Sequence, residues 1–196
     1  LPTGPNSIIP KKPFSITLSL ADRVDTLTGF YGVNEKPSGS KDPYALRRVA
    51  LGIIRIIIEN KKDIKISDLF SYSSNIYLDQ GFKFSNDKLI KEVSNFLKDR
   101  LKYYLKEKNI RHDIIEAATN SLDLNKIFTA HEKAKSLNRV INKTIGENIV
   151  SSYKRAFNIL NLEMKNLGVT LSNSTDPGIF KNDFEKDLYQ KTNEMK

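Results

Sequence analysis

The chain has 196 residues, 39% of them hydrophobic, enough for a real core and too many for wholesale disorder. It holds no cysteine and only two histidines, which excludes a disulfide framework and leaves too few ligands for a His/Cys zinc site. The formal net charge of +9 favours a polyanionic partner, nucleic acid being the commonest, although a lysine-rich surface facing water carries the same charge.

No apolar run reaches the roughly 18–20 residues that a membrane span needs. The longest, near Ile53 to Ile58, is interrupted by Arg55. Together with the lack of cysteine, this suits a cytoplasmic protein. Residues 1–13 carry four prolines and read as an extended amino-terminal edge, the cut end of something longer.

From Ser15 to Tyr31 apolar residues recur at helical spacing, with Gly29 and Gly32 as stop signals. A polar loop with Pro37 and Gly39 follows. Asp42 then suits an N-cap and Pro43 a first-turn position, opening an amphipathic helix to Asn60. Leu46, Val49, Ala50, Ile53, Ile54 and Ile57 share one face of that helix, and Arg47, Arg48 and Arg55 share another. Asp63 to Leu69 reads as a connector, and Ile76 to Phe84 fits either a helix end or an extended turn, so residues 61–85 are left open. Asn86 to Glu107 is predicted as a long helix on the stripe Leu89, Ile90, Val93, Phe96, Leu97, Leu101, Tyr104 and Leu105. Further helices are predicted over Arg111 to Thr119, Leu124 to Val140 and Gly146 to Leu167. Gly168 to Gly178 is a polar boundary, and Ile179 to Lys196 a last short helix with Phe180, Phe184 and Leu188 on one stripe. No segment shows a strand pattern, so the expected class is all-α, an irregular multi-helix bundle.

Several groups of residues invite a chemical reading. The start of the second helix places Lys41, Arg47 and Arg48 together, and helix starts and guanidinium groups both suit phosphate. Equally, those arginines can pair with acids such as Asp22 or Asp25. Between positions 98 and 111, Lys98, Arg100, Lys102, Lys106, Lys108 and Arg111 meet only Asp99 and Glu107, with Tyr103 and Tyr104 among them. Basic groups neutralise phosphates and tyrosines stack on unpaired bases; a solvated face with Tyr104 in the core is the plainer alternative. Arg139, Lys143, Lys154 and Arg155 form a later basic group. The candidate nucleic-acid-binding residues are Lys41, Arg47, Arg48, Arg55, Arg100, Lys102, Lys154 and Arg155. The Ala-Asp of the first helix is similar to the last helix of HD-type phosphohydrolases, and His112-Asp113 is a lone His-Asp pair. That chemistry needs several clustered ligands, so Asp22 and His112 read as surface or capping groups, and no metal or catalytic residue is expected.

The segment Ser19 to Asn60, SLADRVDTLTGFYGVNEKPSGSKDPYALRRVALGIIRIIIEN, resembles the hallmark stretch of the glycyl-tRNA synthetase beta subunit family. There an Ala-Asp-Lys-x-Asp-Thr-Leu helix leads through a Gly-Ser-Lys-Asp-Pro loop to an Ala-Leu-Arg-Arg-x-Ala-x-Gly helix. Arg23 stands for the usual lysine and Tyr44 for the usual phenylalanine. FLKDRLKYYLKEKNIRHDIIEAA (Phe96 to Ala118) and YKRAFNIL (Tyr153 to Leu160) resemble later family helices, in order. The resemblance implies HD-like and linker helices over residues 14–136 and the start of a helical anticodon-binding domain over residues 137–196. It also implies a tRNA-holding, non-catalytic part of a ligase that attaches glycine to tRNA(Gly). Catalysis would belong to an alpha subunit, which uses ATP and Mg2+, in a heterotetramer, and this chain itself would bind no cofactor. The alternatives are an HD-type phosphohydrolase remnant and a subunit-interface scaffold without RNA contact.

Overall fold

The computed structural model describes residues 8–120, 126–168 and 175–194. Among them are eight α-helices and no strand: α1 (Pro13–Gly32), α2 (Leu46–Glu59), α3 (Ile66–Asp79), α4 (Asn86–Glu107), α5 (His112–Asn120), α6 (Ile127–Ile141), α7 (Thr144–Leu167) and α8 (Asp183–Glu194). The chain divides into two compact units, Leu1–Gly146 and Glu147–Lys196.

In the first unit α2 is the central element. Ile53, Ile54, Ile56 and Ile57 have no exposed surface, and Ile58 is also buried. The amphipathic reading placed only one face of this helix inside. Burial reaches further because α1, α4 and α6 all pack on it, and because the preceding strap adds Ile9 to the same core. The strap is held at the end of α2: Asn60 Nδ2 donates to the Pro10 carbonyl at 3.1 Å and Lys11 Nζ to the Glu59 carbonyl at 3.2 Å. Each fully buried isoleucine contributes roughly 1.5–3 kcal/mol.

α4 has the bounds the periodicity predicts. Its buried residues Leu89, Val93, Leu97, Leu101 and Leu105 recur every fourth position, with Ile90, Phe96 and Tyr104 partly buried beside them. The Ser85 hydroxyl accepts from the Lys88 amide at its start.

Two local expectations change. Asp42 does cap α2, but from outside the first turn. Its carboxylate accepts from the amides of Leu46 at 2.8 Å and Arg47 at 3.1 Å, while Ala45 adopts a left-handed conformation (φ 56°) that delays the helix to Leu46. Pro43 and Tyr44 therefore lie in the turn before it. Gly29 does not end α1, which continues to Gly32. Both glycines serve as close contacts: a β-carbon at Gly29 would lie 2.7 Å from the Tyr77 hydroxyl oxygen, and one at Gly32 3.0 Å from the Phe84 ring.

The region left open by sequence contains α3. Ile66 and Phe70 anchor it, but its next inward residues are Ser73 and Ser74, which break the apolar stripe. Ser74 is accommodated by the Asn86 side chain, 2.5 Å away, and Asn86 Nδ2 donates to Asn75 at 3.1 Å.

In the second unit Ile149, Tyr153, Phe157 and Leu160 leave an exposed apolar stripe on α7. The last helix starts at Asp183, later than expected. Asn182 accepts from the Glu185 amide, and the Glu185 carboxylate accepts from the amides of Lys181 and Asn182, a reciprocal cap. The start expected at Leu124 and most of the polar boundary after Gly168 lie outside the described residues.

Candidate nucleic-acid interface

The basic residues singled out from sequence fall into several settings. Around the start of α2, Lys41 and Arg48 are exposed, and among the described residues no carboxylate pairs with either. Arg47 is differently engaged: its Nη2 donates to the Gly39 carbonyl at 2.7 Å, tying α2 to the preceding loop. It pairs with neither Asp22 nor Asp25. Asp22 instead lies 3.9 Å from Arg23 on its own helix.

Arg100, on α4, is half-buried. Its guanidinium lies over the rings of Phe96 at 5.9 Å and Tyr103 at 5.7 Å, and its Nε is buried without a hydrogen-bond partner. Aromatic stacking fixes the plane of the fork without neutralising its charge. Tyr103 is 47% exposed, so this platform opens to solvent.

The buried phenol of Tyr31 links these two settings. Its ring centroid lies 5.6 Å from that of Phe96. Burial pushes its pKa well above the ordinary tyrosine value; Glu92 raises it further, Arg100 opposes, and Asp42 and Asp99 add smaller increments. Lys36 completes the group, with Nζ 2.8 Å from Glu92 and 5.8 Å from the Tyr31 ring centroid. Sequence reading passed over Lys36, since its partner lies on a helix more than fifty positions away.

Arg55 and Lys102 are engaged elsewhere. Arg55 Nη2 is 3.2 Å from Glu59 Oε1, one helical turn on, and its side chain is 16% exposed. Lys102 Nζ is 2.6 Å from Glu116 on α5, and that contact holds the Glu116 carboxyl below its ordinary value. Tyr104 is half-buried against the core, near His131. In the second unit, Lys154 and Arg155 are exposed on α7, beside the stacked pair Tyr153 and Phe157, whose rings lie 5.9 Å apart.

His112 and Asp22 are surface residues; His112 lies 3.8 Å from Glu116. Among the described residues no group of three His, Asp or Glu side chains gathers to hold a metal ion. No helix among them is long and apolar enough to cross a membrane. An arginine oriented by aromatic rings, as Arg100 is by Phe96 and the exposed Tyr103, is a group that can hold phosphate beside a ring that stacks on an unpaired base.

The sequence profile of the glycyl-tRNA synthetase beta subunit matches residues 1–120. The glycine–tRNA ligase beta subunit of Cereibacter sphaeroides is 35% identical over 188 residues, covering 96% of this chain and 27% of that protein. That of Ruegeria sp. is 35% identical over 189 residues, covering 96% and 26%. That of Dinoroseobacter shibae is 36% identical over 212 residues, covering 96% and 29%. The chain therefore spans between a quarter and a third of the length of these relatives.

Proposed function

Because the chain belongs to the glycyl-tRNA synthetase beta subunit family, we propose that it is a tRNA-holding, non-catalytic part of a glycine–tRNA ligase. In this reading it supports the ATP-dependent attachment of glycine to tRNA(Gly), while an alpha subunit performs the chemistry with ATP and Mg2+. The assembly would contain two alpha and two beta subunits. Residues 14–136 would be the HD-like and linker region, and residues 137–196 the start of the anticodon-binding domain.

One observation carries the RNA-holding role: Lys41, Arg48 and Arg100 keep their charge without a carboxylate partner among the described residues, and Arg100 is oriented by two rings. Arg55 and Lys102, by contrast, are paired with Glu59 and Glu116. Such contacts set affinity and register, leaving base identity to other groups. Lys154 and Arg155 would add a second region of backbone contact.

The test is co-purification with a glycyl-tRNA synthetase alpha subunit, followed by a charging assay and direct tRNA binding by the chain. Salt-sensitive tRNA binding supports the reading. Retained association with the alpha subunit, with no tRNA affinity at low salt, would replace it with an interface scaffold.

A further inference from the structure

Between the end of α1 and the first turns of α4 lies a cavity of about 320 Å³, bordered by Tyr31, Asn34, Lys36, Phe84, Lys88 and Glu92. Its walls combine aromatic surface with an internal ion pair. Gly32 allows Phe84 to pack directly against the helix backbone, since a β-carbon there would press on the ring at 3.0 Å. Tyr31 is 7% exposed, whereas Lys88 and Asn34 are exposed. Lys36 and Glu92 are 2.8 Å apart, with side chains 28% and 33% exposed, so both remain reachable from solvent.

We infer that this cavity receives one unpaired guanine nucleotide of a bound RNA, read by the Lys36–Glu92 pair. This rests on the RNA-holding reading above and deepens it. The pair offers a donor beside a carboxylate that accepts at two oxygens. Guanine's pairing edge offers the complement: O6 accepts, while N1–H and N2–H donate side by side. The Lys36 ammonium meets O6, and Glu92 accepts from N1–H and N2–H. Adenine, cytosine and uracil each lack the two adjacent donors that a carboxylate engages together. Phe84 supplies the apolar face for the base, and Lys88 the positive charge for its phosphate. A cavity of this volume lies within the range of small-ligand sites.

The test titrates the 196-residue chain with GMP, IMP, AMP and UMP, and with inorganic phosphate as the control, following backbone amides by NMR. GMP is expected to shift residues 32–36 and 84–92 and to bind roughly tenfold more tightly than UMP, the discrimination of one good bidentate pair. IMP, which lacks the N2 amino group, should fall between them. Glu92→Gln should remove the preference for GMP, and Lys88→Ala should weaken every nucleotide alike. If Glu92→Gln does not fold, the series on the unsubstituted chain still decides. Equal binding of all four nucleotides, binding no better than inorganic phosphate, or no shifts in these segments overturns the inference. A parallel tRNA titration separates the two readings. If tRNA binds while GMP shows no preference, only the cavity assignment fails; if tRNA does not bind, the proposed function fails.

Discussion

The side chain of Arg23 crosses directly over the α-carbon of Gly52, where α1 meets α2. A β-carbon at Gly52 would collide with Arg23 Nε and lie 3.1 Å from its Cδ. Arg23 is 5% exposed, and its guanidinium donates from Nη1 to the Ser19 carbonyl at 2.9 Å and to the Ser19 hydroxyl at 2.8 Å, so it has little room to move. Gly52→Ala should therefore destabilise the protein by about 1–3 kcal/mol, even though alanine is the better helix former by about 1 kcal/mol. In a double-mutant cycle with Arg23→Ala, the cost of Gly52→Ala should fall sharply, because the colliding atoms, Nε and Cδ, are both gone. Additive changes in the denaturation midpoint would disprove the contact.

Ile53 has no exposed surface and lies among Leu20, Val24 and the α4 stripe in one core. Ile53→Asp should prevent cooperative folding, since the site offers a carboxylate no partner. The readout is a thermal melt with solubility; an unchanged midpoint would contradict the central place of α2.

Lys41 and Arg48 should behave differently from Arg47. Replacing both Lys41 and Arg48 with alanine should leave the melting temperature nearly unchanged. It should weaken tRNA binding at low salt and flatten the log–log salt slope by about 0.7–0.9 per lost contact. Arg47→Ala should instead lower stability, by about 1 kcal/mol, because it releases the Gly39 carbonyl. Affinity across a salt series, measured beside a melt for each variant, tells the two roles apart.

His131 should make stability depend on pH. Burial holds its pKa below the ordinary histidine value of 6.5; the neighbouring Glu132 opposes this, and Lys135 and Lys108 reinforce it. The unfolded chain therefore takes up a proton before the folded one does. Its contribution is present above that ordinary value and is lost as pH falls through the lower folded value. His131→Gln should reduce the fall in melting temperature on acidification from pH near 7 toward 5 (about the ordinary histidine range). A variant with the same pH dependence as the parent would exclude His131 as its source.

The isolated chain should show no ATP–pyrophosphate exchange with glycine, since its sequence carries none of the adenylate-forming motifs of either synthetase class. Exchange above background by the pure protein would contradict a purely supporting role.

The helical periodicity of this sequence was sufficient to place α4 to the residue and to identify α2 by its apolar face, because i, i+4 spacing is a local property of the chain. The run from Ser19 to Asn60 was likewise sufficient to show the family resemblance. Local signals failed where the deciding contact is distant in sequence. α3 buries Ser73 and Ser74, which resemble a loop until Asn86 is seen beside them. Gly29 resembles a helix stop until Tyr77 is seen resting on it. The charges follow the same rule. Composition determined that the chain would be basic, and helical spacing already allows Arg55 to meet Glu59 and Arg100 to meet Phe96 and Tyr103 within one helix. Only the tertiary structure decided that Lys102 pairs with Glu116 and Lys36 with Glu92, partners that lie on other elements. A side chain's free charge depends on what the fold brings within about 4 Å of it, and sequence spacing does not carry that distance across helices.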